Sequence, residues 1–260
     1  MPISFDNKRG KSGLVIYFTA GDPDLATTRE MAIAAIDNGA DVIELGVPFS
    51  DPLADGPVIQ RASERAVARG VRLTDVLAIC KEIRAARPAA GIVIFSYLNP
   101  VVRMGMPAFA KATKDAGADG VLLTDMIVEE ADEYLRVMRE NDLAPVFLAA
   151  PTSPDARLRA IAENSQGFVY AISRVGITGK QAELAADARL LVERLRKFTS
   201  LPIALGFGIS TAAQVRAVSC FADAAVVGSA VVELIERTPT AHAPQVVGQF
   251  VRDLLRNPPQ

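Results

Sequence analysis

A single acidic residue interrupts the apolar segment Val42-Ile43-Glu44-Leu45-Gly46. If this segment is a strand of a closed parallel sheet, its side chains alternate between the two faces. The large Ile43 and Leu45 then belong against helices, and Glu44 faces the interior near the carboxyl end of the strand. Burial raises the pKa of a carboxyl group, so Glu44 could act as a general acid and base near neutral pH. On this pattern alone, a salt-bridged glutamate at the rim is an equally good interpretation.

The segment that follows, residues 47–57, combines two aspartates with three prolines. Asp-Pro and Asp-Gly pairs are common in ordinary turns, and on that ground Asp51 is interpreted as a turn residue. Asp55 has two interpretations. It is a turn residue as well, or the proline-stiffened loop carries its carboxylate back over the end of the sheet, where it could take part in chemistry.

Three glycine-rich segments follow the last three predicted strands, namely Ser173–Gly179, Gly206–Ser210 and Gly228–Ala230. Glycine lets backbone N–H groups approach an anion closely, and the amino end of a helix favours negative charge. Parallel barrels frequently bind phosphate in these loops. Although glycine also serves simple turns, three such segments together favour a phosphate site. Arg174 and Lys180 lie near the two ends of the first segment, and this segment could close over the site as a lid. Alternatively, both side chains are simply solvated charges.

These residues must be positioned by a regular alternation of short apolar runs and helical stretches. Helical periodicity is clear in Leu73–Ile83, which has one apolar face, and Gly-Ala-Asp sequences end helices at residues 39–41 and 117–119. The runs predicted as strands are apolar on both faces, as in buried parallel sheets. They are Leu14–Thr19, Asp41–Gly46, Ile92–Ser96, Gly120–Leu123, Pro145–Leu148, Gly167–Ile172, Pro202–Leu205 and Asp223–Val227.

Eight such units without a linker predict an α/β fold, a single-domain (β/α)8 TIM barrel that spans residues 1–260. An open doubly wound sheet is the alternative. Its usual dinucleotide fingerprint is missing after the first predicted strand, which favours the barrel.

The composition limits the classes of partner. Half of the 260 residues are hydrophobic and the formal net charge is −2, with no basic stripe, so neither nucleic acid nor a membrane surface is an expected partner. The polar N-terminal segment lacks the apolar core of a signal peptide, which predicts a cytoplasmic location. Cys80 and Cys220 are then expected to be reduced, as small core residues of two helices.

Several catalytic chemistries lack the residues they need. With His242 as the only histidine, neither a histidine-based triad nor a multi-histidine metal site is expected, which disfavours a metal-dependent aldolase. A Schiff-base aldolase needs a lysine at the inner end of a strand, and none of the seven lysines is predicted to lie there. They are Lys8, Lys11, Lys81, Lys111, Lys114, Lys180 and Lys197.

The stretch Glu44–Pro57, with the sequence ELGVPFSDPLADGP, closely resembles the signature of the tryptophan synthase alpha chain family. Further blocks resemble the family in the same order, and together they extend the resemblance over essentially the whole chain. These blocks are Thr19–Pro23, Ala150–Ser153, Ser173–Gly179 and Gly206–Ser210.

The resemblance implies the retro-aldol cleavage of indole-3-glycerol phosphate to indole and glyceraldehyde 3-phosphate, in tryptophan biosynthesis. It implies that Glu44 is the general acid and base and that Asp55 accepts the indole N–H. It also implies an indole pocket and a phosphate site, although Tyr97 and Tyr170 could equally be core tyrosines. The implied indole pocket contains Tyr17, Tyr97, Tyr170 and Phe207, and the implied phosphate site contains Thr178, Gly179, Gly208, Gly228 and Ser229.

The resemblance further implies a β-chain partner in an α2β2 assembly. Pyridoxal phosphate is expected only in that partner, and this chain is expected to hold no cofactor. Two departures from the family stand out: residues 124–130 lack the proline found there in the family, and the N-terminal segment is shorter. The first lies where the family docks its partner. A stand-alone lyase and a weakly active allosteric subunit therefore remain alternatives.

Overall fold

Nine short parallel strands form one sheet in the computed structural model, which describes residues 3, 5, 13–172, 181–206 and 208–256. The strands are β1 (Gly13–Thr19), β2 (Val42–Gly46), β3 (Gly91–Ser96), β4 (Gly120–Leu123), β5 (Ala144–Val146), β6 (Leu148–Ala149), β7 (Val169–Ile172), β8 (Ile203–Gly206) and β9 (Ala224–Val227).

The sheet closes on itself. Its strand order is β5-β4-β3-β2-β1-β9-β8-β7-β6, so β5 and β6 lie at its two edges. Only Phe147 separates these two strands along the chain, so one extended segment forms both edges. The predicted strand Pro145–Leu148 is thus two short strands at one barrel position. With eight positions occupied, the predicted TIM barrel is confirmed.

Helices connect the strands and surround them. They are α1 (Leu25–Asp37), α2 (Pro57–Ala68), α3 (Leu73–Ala86), α4 (Leu98–Met104), α5 (Met106–Asp115), α6 (Asp132–Glu140), α7 (Asp155–Asn164), α8 (Gln181–Leu195), α9 (Ala212–Ser219), α10 (Ser229–Glu236) and α11 (Ala243–Leu254). In the described part of the chain, short 3-10 turns lie at Val128–Glu130 and Thr240–His242. None of the helices among the described residues combines the length and the hydropathy that a membrane span requires.

The two cysteines differ in their surroundings. Cys80 is buried in the apolar face of α3, as predicted, and forms no disulfide. The prediction that Cys220 is a core residue is wrong, because its side chain is exposed. Cys220 caps α9, whose buried face contains Val215 and Val218. A position two residues beyond Val218 lies on the opposite side of a helix.

The strand side chains alternate between two apolar layers. Ile43 and Leu45 pack outward in the layer between sheet and helices, whereas Val42 belongs to a second cluster inside the barrel. The predicted orientation of β2 is therefore confirmed, and Glu44 shares the inner face with Val42. The inner cluster contains Ile3, Phe5, Val15, Val42, Val93, Leu122, Val146, Phe168, Ala204, Ala224 and Val226.

Residues near the N-terminus close the amino end of the barrel. Ile3 and Phe5 are buried in the inner cluster, and the Phe5 ring meets Phe168 edge-on with centroids 5.7 Å apart. The fit is close, since a Cβ at Gly13 would lie 2.5 Å from Cδ1 of Phe5. Ile3 and Phe5 thus fill the barrel at this end.

Aspartates organise the same end. Each accepts a hydrogen bond from the amide near the start of a neighbouring strand, which explains the aspartate after the helix-ending glycines at residues 39–41 and 117–119. The pairs are Leu14 N–H to Asp41 (2.8 Å), Ile92 N–H to Asp119 (2.8 Å) and Ile203 N–H to Asp223 (2.7 Å).

Candidate active site

Glu44 lies inside the barrel between Tyr17 of β1 and Val93 of β3, its register partners on the adjacent strands. Its side chain is fully buried, and neither carboxyl oxygen has a hydrogen-bond partner among the described residues. Burial raises the pKa of Glu44 from 4.5 to about 8, because the ionised form loses its hydration without compensation. The group therefore carries a proton at neutral pH.

Asp55 is held at the mouth of the barrel by Tyr97. The Tyr97 hydroxyl donates a hydrogen bond to Oδ2 of Asp55 (3.0 Å) and accepts one from the Ala54 amide (2.9 Å). Burial raises the pKa of Asp55 to about 6, and the hydrogen bond from Tyr97 opposes that rise. Asp51, by contrast, is exposed and accepts a local hydrogen bond from the Ser50 hydroxyl (2.6 Å), as in a turn.

Tyr17 and Tyr170 surround the same space. Burial raises the pKa of each hydroxyl, and the charges of Glu44 and Asp55 raise both further. Glycine at the ends of neighbouring strands makes room for them. A Cβ at Gly46 would lie 2.2 Å from the Tyr17 hydroxyl oxygen.

The structure adds aromatic and aliphatic residues to this pocket that the sequence analysis did not single out. The half-buried Phe95 of β3 packs edge-on against Tyr17, with centroids 5.1 Å apart. Leu122 and Leu148 belong to the inner cluster or pack against it. The two-residue alternation that placed Glu44 could have found Phe95, since Val93 and Phe95 share one face of β3. Together these side chains form an apolar wall suited to a flat aromatic ligand.

Part of the expected phosphate site borders Tyr17. Gly228 precedes α10, and a Cβ there would lie 3.6 Å from Cβ of Tyr17, so Gly228 borders the tyrosine. Ser229 begins α10, and among the described residues no side chain caps its amino end, the end of a helix that favours an anion. Gly208 has a φ of +58°, which favours glycine. Thr178, Gly179 and Phe207 lie outside the described residues, as do Arg174 and Lys180.

Lysine and histidine lie elsewhere in the part of the chain that the structure describes. Lys81 is on α3, Lys111 and Lys114 are on α5, and Lys197 follows α8. His242 is exposed before α11. Within the same ranges, no group of three or more histidine, cysteine, aspartate or glutamate side chains is arranged to hold a metal ion.

Large apolar side chains are exposed in the segments that follow β2, β3 and β4, one of them on helix α4. Leu53, Val102 and Ile127 are 92%, 61% and 45% exposed. Ile127 lies in the segment after β4, and Asp125 ties this segment to α4 by accepting a hydrogen bond from the Leu98 amide (2.7 Å). The carboxyl rim therefore presents exposed apolar side chains on three segments that follow neighbouring strands.

Comparisons with known proteins agree with this architecture. The profile of the family described as tryptophan synthase alpha chain matches residues 3–253. The alpha chain from Cupriavidus pinatubonensis is 45% identical over 243 residues, covering 94% of this chain and 92% of the relative. That from Laribacter hongkongensis is 50% identical over 227 residues, covering 87% and 86%.

Solved structures with lower sequence identity have the same fold. Tryptophan synthase subunit alpha from Legionella pneumophila has a TM-score of 0.87 at 34% identity, covering 95% of this chain and 93% of its own. An aminoacrylate-bound tryptophan synthase from M. tuberculosis has a TM-score of 0.86 at 34% identity, with 96% of each chain covered. The match to the family thus extends from Ile3, at the amino end of the barrel, to the last helix, α11.

Proposed function

The chain belongs to the tryptophan synthase alpha chain family, and on that premise we propose that it cleaves indole-3-glycerol phosphate at the mouth of the barrel, with Glu44 as general acid and base. The products are indole and glyceraldehyde 3-phosphate. One observation carries the assignment of Glu44: it is a fully buried carboxyl group whose oxygens have no partner among the described residues. Such a group is costly to fold, which is understandable if a ligand supplies the partner.

Glu44 performs both proton transfers. Its protonated carboxyl donates to the ring carbon that bears the glycerol chain, which converts the indole into a cation that can accept electrons. The carboxylate then takes the proton from the hydroxyl on the adjacent carbon, and the bond between that carbon and the ring breaks. The electron pair returns to the ring, the hydroxyl carbon becomes the aldehyde, and Glu44 is protonated again.

Asp55 supplies the negative charge that the cation needs. With a pKa of about 6, its carboxylate is ionised at neutral pH, whereas Glu44, with a pKa of about 8, is protonated. Two acids with separated pKa values can take different roles in one site. Asp55 accepts the indole N–H and stabilises the positive charge that develops when the ring is protonated.

The remaining residues bind the two ends of the substrate. We assign the indole ring to a pocket of Tyr17, Tyr97, Tyr170 and Phe207, and Tyr97 also holds Asp55. The phosphate is bound by backbone amides of the glycine-rich loops and the amino end of α10, a set in which we include Thr178, Gly179, Gly208, Gly228 and Ser229.

We infer that this chain binds no pyridoxal phosphate and that this cofactor belongs to a β-chain partner. The chain docks that partner in an α2β2 assembly through the rim with Leu53, Val102 and Ile127, because exposed apolar patches mark interaction surfaces. Solved relatives include a tryptophan synthase complex from Pyrococcus furiosus. A cytoplasmic location and the assignment of residues 1–260 to one domain stay predictions.

The test of the reaction is indole release by the purified chain and by Glu44→Gln. We expect the variant to lose at least about a thousandfold in kcat while it still binds a phosphorylated indole analogue, because the lost group acts on the proton transfers. A variant that keeps most of its kcat excludes Glu44 as the acid and base.

The test of the partnership is the same assay with and without a β chain. A rate that rises when the β chain is added supports the subunit assignment. A lone chain that is already fast and unaffected by the β chain is a stand-alone lyase instead. A rate that is negligible in both assays indicates an allosteric subunit with little activity of its own.

A further inference from the structure

Ion pairs join three elements beside the pocket. The Arg65 guanidinium of α2 donates to both carboxylate oxygens of Asp22 (2.9 and 2.7 Å) and, through its third nitrogen, to Glu236 (2.8 Å). Arg61 donates to both oxygens of Glu236 (3.1 and 2.8 Å). Asp22 is only 5% exposed. Two-pronged arginine–carboxylate contacts fix distance and orientation more strictly than single ones.

The helices so joined cover one side of the barrel mouth. Ala62 of α2 and Val232 of α10 pack in one apolar cluster with Tyr17. A Cβ at Gly228 would lie 3.9 Å from Cδ1 of Ile59, which also belongs to α2. Both helices therefore contact Tyr17 of the pocket, although α10 also packs into the layer between sheet and helices through Val231 and Ile235.

Each helix also carries one end of the site. Helix α2 begins two residues after Asp55, and its Gln60 side chain donates to the Asp55 carbonyl (2.8 Å). Helix α10 begins at Ser229, directly after Gly228. The position of α2 relative to α10 thus sets the separation between the Asp55 carboxylate, proposed to bind the indole N–H, and the amides at the start of α10, proposed to bind the phosphate.

We propose that Arg65 is a positioning residue that, by tying Asp22 to Glu236, sets the distance between the indole end and the phosphate end of the pocket. The pocket then discriminates among phosphorylated indoles by the length of the chain between ring and phosphate. This inference rests on the proposed function, because it presumes those two ends. Its physical basis is that a displacement of about 1 Å between two binding groups can cost about a hundredfold in rate.

The test measures binding of indol-3-yl alkyl phosphates with chains of three, four and five carbons, and of the three-carbon alcohol without phosphate. Because the chain contains no tryptophan, indole fluorescence reports binding with little protein background. We expect the wild-type chain to prefer the three-carbon phosphate over the five-carbon one by about tenfold or more. Arg65→Met should reduce that preference to about threefold or less.

Two further variants separate positioning from folding. Glu236→Leu breaks the link from the other helix while the Asp22–Arg65 pair remains, and it should reduce the length preference in the same way. Arg87→Met is the matched control. Arg87 makes an equivalent two-pronged contact with Asp37 (2.6 and 2.5 Å), and this contact joins the ends of α1 and α3 and involves neither α2 nor α10. It should leave the preference unchanged.

The outcomes are distinct. If Arg65→Met and Glu236→Leu weaken all chain lengths equally, or leave the preference intact, Arg65 does not set the spacing and the inference is overturned. If the wild-type chain binds the phosphate compounds no better than the alcohol, the proposed substrate itself is wrong.

Discussion

Replacing Glu44 by glutamine should stabilise the chain against unfolding at the same time as it abolishes the reaction. In the folded chain the pKa of Glu44 is about 8, and its ordinary value is 4.5. The folded state therefore keeps the proton over a range of pH in which the unfolded chain releases it. The contribution of Glu44 to the free energy of unfolding is fully present below about pH 4.5. It decreases as the pH rises and reaches its lowest value above about pH 8.

The size of the effect follows from those two pKa values. Each pH unit within the window costs about 1.4 kcal/mol of unfolding free energy. The cost is about 3 kcal/mol at about pH 7 and about 5 kcal/mol above about pH 8, a large part of the 5–15 kcal/mol typical of a whole domain. Glutamine has nearly the same shape but cannot ionise, so Glu44→Gln should avoid this cost.

The assay is denaturant unfolding of both chains, followed by circular dichroism from about pH 5 to about pH 9. The variant should gain stability over the wild-type chain in proportion to pH until about pH 8, and the gain should then level off. Glu163→Gln on α7, whose side chain is exposed, is the control and should change stability by less than about 0.5 kcal/mol. A Glu44→Gln difference that does not vary with pH refutes the reasoning, since it would mean that Glu44 ionises normally in the folded chain.

Four further predictions use the same structure. In the wild-type chain, kcat/KM should rise with pH through about 6 as Asp55 ionises and fall through about 8 as Glu44 loses its proton; a pH–rate profile that is flat across this range contradicts the assigned roles. Tyr97→Phe removes the hydrogen bond that lowers the pKa of Asp55, so the acidic limb of that profile should move up by about half a pH unit or more; an unmoved limb means that the contact is not made in solution. Gly208→Val should raise KM for the phosphorylated substrate by about tenfold, because φ at Gly208 is +58°, whereas binding of unphosphorylated indole should not change; equal losses for both ligands argue against a phosphate role. Phe5→Ala should lower the unfolding free energy by about 3–5 kcal/mol in denaturant titrations with KM unchanged, and a change under about 1 kcal/mol argues against the inner plug.

The fold was predictable because its signals repeat. Continuous apolar runs and helical stripes recur eight times, and the alternation in residues 42–46 correctly placed Glu44 inside. Errors arose where a local pattern is not decisive. Cys220 has apolar neighbours in sequence but lies beyond the buried face of α9, and the fifth predicted strand divides at Phe147, where the closing sheet changes its pairing partner.

The site was predictable in part. Glu44 followed from strand alternation, whereas a role for Asp55 followed only from the family signature. Phe95 was missed although its position in β3 obeys the same alternation. A phenylalanine in an apolar strand is expected in the core, so its residue type alone does not indicate a role in the pocket. The ion pairs of Arg65 had no local signal, since Arg65 lies on a helix with exposed charged neighbours.

What the sequence determined by itself is therefore what depends on neighbours a few residues apart: which residues form strands, which face each strand residue occupies, and where helices end. Strand alternation has a period of two residues and needs no knowledge of distant chain. What only the tertiary structure decided are the meetings of distant residues. Tyr97 reaches Asp55 across 42 positions, and Arg65 reaches Glu236 across 171. Such contacts exist because the sheet closes and brings its carboxyl ends to one rim, and the closure depends on all the strands together.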